Sequence, residues 1–165
     1  MQKITTFLWF DDKAEEAMKL YVSIFRNSRI VSITRYGDPP PGAPAHWPKG
    51  KVLTGVFELD GQTFMALDGG PLFPFTEAIS LYVSCQTQNE VDDLWAKLIA
   101  DGGQEVQCGW LKDKFGVSWQ IVPTAYEEMM NDPQGTPAQK EALMSALLKM
   151  KKLDVAQLKR AYEQS

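Results

Sequence analysis

A chain of 165 residues, 44% hydrophobic and 23% charged, is long enough for one well-buried core and has the composition of an ordinary globular protein. Its formal net charge of −4 runs against a nucleic-acid partner, since neutralising phosphates takes a surplus of Lys and Arg. No apolar run approaches the roughly 20 residues that span a bilayer, and Met1-Gln2-Lys3-Ile4-Thr5 lacks the charged-then-apolar plan of a signal peptide. Cys85 and Cys108 form no CxxC pair, so a cytoplasmic, membrane-free protein with two buried thiols is expected.

Residues 4–10 are β-branched and aromatic, which suits a strand. Asp12 followed by Glu15 has capping-box spacing, and Ala14, Ala17, Met18, Tyr21 and Phe25 recur at helical intervals, so a helix is expected over 13–26. Residues 29–36 alternate like a half-buried strand, and a Pro-rich loop over 37–50 holds the only histidine, His46. Two strands, 51–59 and 62–68, meet at Asp60-Gly61, a hairpin signal because both positions tolerate positive φ. Gly69-Gly70-Pro71 opens a linker to about residue 77.

The order then repeats. A strand over 78–84 leads to a second capping box, Thr87 with Glu90, and a helix over 88–101 carrying Val91, Leu94, Trp95, Leu98 and Ile99. Asp101-Gly102-Gly103 stops it, and short strands follow near 104–108, 110–114 and 117–122. Two βαβββ passes in one small chain amount to an internal duplication of structure. Beyond Pro123 the pattern becomes helical: Thr136-Pro137-x-Gln139 starts one helix, striped by Leu143, Ala146, Leu147 and Met150. Asp154 caps another, carrying Val155, Leu158 and Tyr162.

The runs Leu8-Trp9-Phe10-Asp11…Ala14-Glu15-Glu16-Ala17…Tyr21…Phe25 and 107–123 (Gln-Cys-Gly-Trp-Leu-Lys-Asp-Lys-Phe-Gly-Val-Ser-Trp-Gln-Ile-Val-Pro) resemble the PhnB-like branch of the vicinal oxygen chelate superfamily. That superfamily includes glyoxalase I, fosfomycin- and bleomycin-resistance proteins and extradiol dioxygenases. The resemblance spans about residues 3–130, and residues 150–156 also look like the C-terminal helices of some branch members. It implies an α+β fold in which two paired βαβββ modules form a U-shaped mixed sheet around a cup, often in a homodimer. The chain then divides into a body over 1–130, with modules at about 3–70 and 77–123, and a helical extension over 131–165. Many relatives carry the label 3-demethylubiquinone-9 3-methyltransferase.

In metal-dependent relatives each module supplies one ligand from its first strand and one from its last, drawn from His, Gln and Glu. Carried onto this chain, the first-strand positions fall near Thr6 and Ser80 and the last-strand positions near Asp68 and Gln120. Strands 4–10 and 79–84 hold no His, Asp, Glu or Gln, and hydroxyls are poor ligands, so no tightly held metal and no cofactor are expected. Asp68 reads either as a general base or as a solvated carboxylate at a strand end. Gln120 reads as a hydrogen-bond donor to a ligand or as the partner of a buried backbone group. Trp9, Tyr82, Trp110 and Trp119 read as core or as the lining of an apolar site. His46, beside Trp47, reads as a packed or solvated residue rather than a ligand supplied from the loop or a partner chain. Cys108 has no nearby His to make it a nucleophile.

The ligand-pocket candidates are therefore Thr6, Trp9, Asp68, Ser80, Tyr82, Trp110 and Gln120, with a small molecule and a second copy of the chain as partners. Methyl transfer would call for a glycine-rich turn after the first strand, where this chain has Phe10-Asp11-Asp12-Lys13. Metal-free binding leads, enzymatic chemistry of the same fold is the alternative, and a partner-binding module built on the helical tail is a third reading.

Overall fold

The computed structural model describes residues 2–165. Contacts divide the chain into two units, Met1–Phe75 and Thr76–Ser165.

The first unit runs β1 (Thr6–Phe10), α1 (Ala14–Ile24), β2 (Arg29–Arg35), β3 (Val52–Leu59) and β4 (Gln62–Asp68). Its four strands form one mixed sheet in the order β1-β4-β3-β2. β1 is parallel to β4, and the hairpin pairs are antiparallel. The hairpin turns at Asp60 and Gly61 with φ of 46° and 80°, as that dipeptide predicts. Strand alternation sends Leu8, Phe10, Phe64, Ala66, Phe57 and Leu59 to one buried face, where Ala14, Ala17, Met18, Tyr21 and Ile24 of α1 cover them. Gly55 is the close-approach point: a Cβ there would sit 2.5 Å from the Met18 sulfur.

The second unit repeats the plan with β5 (Leu81–Cys85), α2 (Gln88–Ile99), β6 (Gln104–Glu105), β7 (Trp110–Lys112) and β8 (Ser118–Pro123). Its sheet order, β5-β8-β7-β6, matches the first position for position, with the same parallel pair, β5 with β8. Val91, Leu94, Trp95 and Leu98 of α2 are buried, and so are Cys85, Leu111, Trp119 and Ile121 of the strands. Both units thus have the βαβββ order of the vicinal oxygen chelate fold, and the protein is α+β.

Three helices follow: α3 (Thr124–Asn131), α4 (Pro137–Leu147) and α5 (Val155–Glu163). α4 opens on the expected capping box, Thr136 with Gln139, and α5 on Asp154, whose Oδ1 accepts from the Gln157 amide at 2.8 Å. Leu143, Leu147, Leu153 and Leu158 bury against Val122 of β8, so the tail docks on its own unit. Backbone, side-chain and ionic contacts hold its connector. Cys108 and Gly109 donate backbone N–H bonds to the Met150 and Lys151 carbonyls, both at 2.8 Å. The Gln88 side chain donates to the Leu153 carbonyl at 3.0 Å and accepts from Val155 N at 2.8 Å. Lys152 pairs with Asp92.

Five local expectations are corrected, and one helix is added. α1 takes no cap from Asp12: its N-cap residue is Lys13, with no side-chain bond. At α2, Thr87 accepts from Glu90 N as predicted, but the Glu90 carboxylate reaches Gln86 N, one residue before the expected partner. The strand expected over 78–84 begins only at Leu81, and those expected over 104–108 and 110–114 shrink to two and three residues. Helix α3 was not foreseen: its N-cap, Pro123, makes no side-chain bond, so no capping signal marks its start, although Tyr126, Met129 and Met130 stand at helical spacing.

Candidate functional site

In the second unit, Tyr82, Gln120 and Trp110 are successive partners across β5, β8 and β7. Directly paired residues share a face, and this row lies opposite the α2-covered face that holds Trp119 and Ile121. Two interstrand spacings separate its ends, about 10 Å. Tyr82 is 48% exposed, and Trp110 and Gln120 are half-buried.

The Gln120 Nε2 donates to Ser80 Oγ at 2.8 Å, which fixes the amide and leaves its Oε1 as an acceptor. The Tyr82 hydroxyl donates to Glu127 Oε1 of α3 at 2.7 Å, and Ser84 Oγ lies 3.4 Å from both Glu127 oxygens. Burial, and then the neighbouring Glu127 carboxylate, push the Tyr82 phenol above its ordinary value, so it stays a donor. Lys112 shares the face and is paired with Glu77. The result is a short aromatic-and-amide row with a carboxylate at one end. Four expected residues, Ser80, Tyr82, Trp110 and Gln120, meet here. Glu127 is the one that sequence reasoning missed, since it rides on the unforeseen helix.

The other three candidates lie in the first unit. Thr6 alternates with Leu8 and Phe10 and belongs to the α1-covered face. Asp68 is buried, 2% exposed, so it is not the solvated carboxylate weighed from sequence. Its Oδ1 accepts from Ala14 N at 2.8 Å and its Oδ2 from Val52 N at 2.9 Å. It therefore caps α1 and ties the start of β3, the task expected of Asp12. Trp9 lies on the opposite face, its Nε1 donating to the Gly70 carbonyl at 2.9 Å and its ring meeting Phe73 edge-on. His46 is exposed in the Pro-rich loop. Trp119 is 2% exposed, with its indole N–H bonded to Asp113 at 2.9 Å, which makes it core.

A cavity of about 380 Å³ in the first unit is lined by Asp12, Glu15, Arg35, Lys49, Lys51 and Asp68, among others. Its charges are already matched: Glu15 with Arg35, Lys49 with Asp38, and Lys51 with Asp12. Hydrogen bonds from Arg35 and then Lys19 hold the Glu15 carboxyl down at about 2.

The residues at the fold's four ligand positions do not fit a divalent ion. Thr6 lies on the helix-covered face, Asp68 spends both oxygens on backbone amides, and Ser80 and Gln120 are neutral groups bonded to each other. Among the described residues, no three His, Cys, Asp or Glu side chains are gathered as an ion would require.

The family model for 3-demethylubiquinone-9 3-methyltransferase matches residues 2–122. The PhnB protein of Bacillus cereus is 46% identical, with a TM-score of 0.66 over 74% of this chain and 99% of that one. This chain belongs to that PhnB-like family. A protein from Pseudomonas aeruginosa, 23% identical, shares the fold with a TM-score of 0.61 over 74% and 98% of the two chains. A fosfomycin resistance protein from Listeria monocytogenes, solved with Mn(II) and sulfate, matches at 16% identity and a TM-score of 0.47 over 72% and 88%. No curated protein matches. The family match stops at residue 122, so α3 and its Glu127 lie beyond it. Among the described residues, no helix is long and apolar enough to cross a membrane.

Proposed function

We propose that this PhnB-like protein binds a small, flat, partly apolar molecule on the face of its second sheet opposite α2, beside the tail helices that cover Val122, without a tightly held metal. The observation that carries the reading is the row Tyr82–Gln120–Trp110, backed by Ser80 and closed at one end by Glu127. Aromatic surface with a few fixed polar groups is the usual makeup of a small-molecule site. Of the seven candidates, Ser80, Tyr82, Trp110 and Gln120 are the ones we retain. Thr6 and Asp68 serve the first unit's own core in this reading.

An NMR titration of the full chain with indole and with quinoline tests it. Shifts centred on the Gln120 side-chain amide and the Trp110 indole N–H are expected. Shifts confined to the first unit or to α4 and α5, or none at millimolar probe, overturn it.

The family's description names methyl transfer, and the site gives that little support. No glycine lies between β1 and α1, and each sheet has a single parallel pair rather than the mostly parallel run of a doubly wound adenosylmethionine fold. Calorimetric titration with S-adenosylmethionine is expected to show no heat of binding; a saturable isotherm would reinstate the transferase.

The reading also places the protein in the cytoplasm as a homodimer, with 1–130 as the binding body and 131–165 as an extension that braces it. Sedimentation is expected to give twice the 18.5 kDa chain mass. A monomer at tens of micromolar would remove the dimer.

A further inference from the structure

We infer that the ligand of the second-unit face carries a protonated amine on its flat body, with Glu127 as the counter-charge. The inference rests on the binding face proposed above and names its ligand class.

Glu127 has no Lys, Arg or His partner among the described residues. Its Oε1 takes the Tyr82 hydroxyl at 2.7 Å, whereas Oε2 receives only the long 3.4 Å approach of Ser84. One carboxylate oxygen is therefore open to a strong donor. The lysine on the same face, Lys112, is already held by Glu77.

The remaining polar groups agree. Gln120 gives its N–H to Ser80 and keeps its amide oxygen as an acceptor. Tyr82 gives its O–H to Glu127 and keeps its ring half-exposed beside the carboxylate. The face thus offers acceptors and ring surface, with no uncommitted cation. An ammonium group gains from both, through a charge-assisted bond to Glu127 and attraction to the ring face. An anionic ligand would meet Glu127 with nothing to offset the repulsion. The span of about 10 Å between Tyr82 and Trp110 suits a bicyclic body lying across Gln120.

Tryptamine, tryptophol and indole-3-propionate share one ring and differ in charge, so calorimetric titration of the full chain with each, at pH 7 and low salt, is the test. Tryptamine is expected to bind ~10-fold more tightly than tryptophol, with indole-3-propionate weakest and the gap narrowing in high salt. Glu127→Gln keeps an acceptor for Tyr82 and is expected to erase the ~10-fold preference, so that the variant binds tryptamine and tryptophol alike. Ser84→Lys sets a permanent cation beside the carboxylate and is expected to abolish the preference by a second route, should the first variant fold poorly. Equal binding of the three probes, or a preference that survives both variants, overturns the ammonium assignment and leaves the binding face standing. If no probe binds, the binding face itself fails.

Discussion

At the scale of single residues, Asp68 shows how a side chain that looks catalytic can be structural. Its two oxygens answer two buried backbone amides, Ala14 and Val52, and an amide side chain can answer only one. Asp68→Asn is therefore expected to lower stability by about 1–3 kcal/mol, measured by urea unfolding, with the binding face undisturbed. Unchanged stability would return Asp68 to the list of free acids. Cys85 makes a parallel case. It is fully buried, and burial first, then Glu90 and Glu127, push its thiol up to about 12. A raised acid pKa means the folded state holds the proton more tightly. This contribution is complete below the thiol's ordinary value and fades as pH rises from there toward 12. Iodoacetamide at pH 8 is expected to spare Cys85 in the native protein and to modify it in denaturant; native modification would contradict the burial.

At the scale of elements, the tail and α2 are joined by a clamp that the sequence pattern does not reveal. Gln88 sits in the first turn of α2 and reads the connector before α5 with both ends of its amide. Leu153 is fully buried between α4, α5 and β8. The same cluster packs Tyr126, Met129 and Met130 of α3, the helix that delivers Glu127 to Tyr82. Leu153→Ala is expected to cost about 2–5 kcal/mol in thermal or chemical unfolding. It should also weaken tryptamine more than tryptophol, because it loosens the helix bearing the carboxylate. Equal weakening of both would make the tail a stabiliser with no bearing on the site.

At the scale of the whole molecule, the two units repeat one βαβββ order and one strand order, and the family match covers both. The fold's ligand positions carry a hydroxyl or an amide, or, at Asp68, a carboxylate already committed to the backbone. Elemental analysis of untagged protein is accordingly expected to find less than stoichiometric zinc, nickel, manganese or iron. One equivalent that survives dialysis would overturn the metal-free reading.

Order and type of the elements were legible in the chain because they depend on local rules. Period-two and helical spacings, the Asp60-Gly61 turn and the Thr136 and Asp154 caps each act within a few residues. α3 escaped those rules because no cap marks its start, although Tyr126, Met129 and Met130 keep helical spacing. What only the tertiary structure decided are pairings far apart in sequence. The Asp68 carboxylate meets Ala14 across 54 residues, Glu127 meets Tyr82 across 45, and Gln88 meets Val155 across 67. No periodicity encodes such partners, since a charge or an amide is equally at home in water until the folded chain brings its donor or acceptor to it.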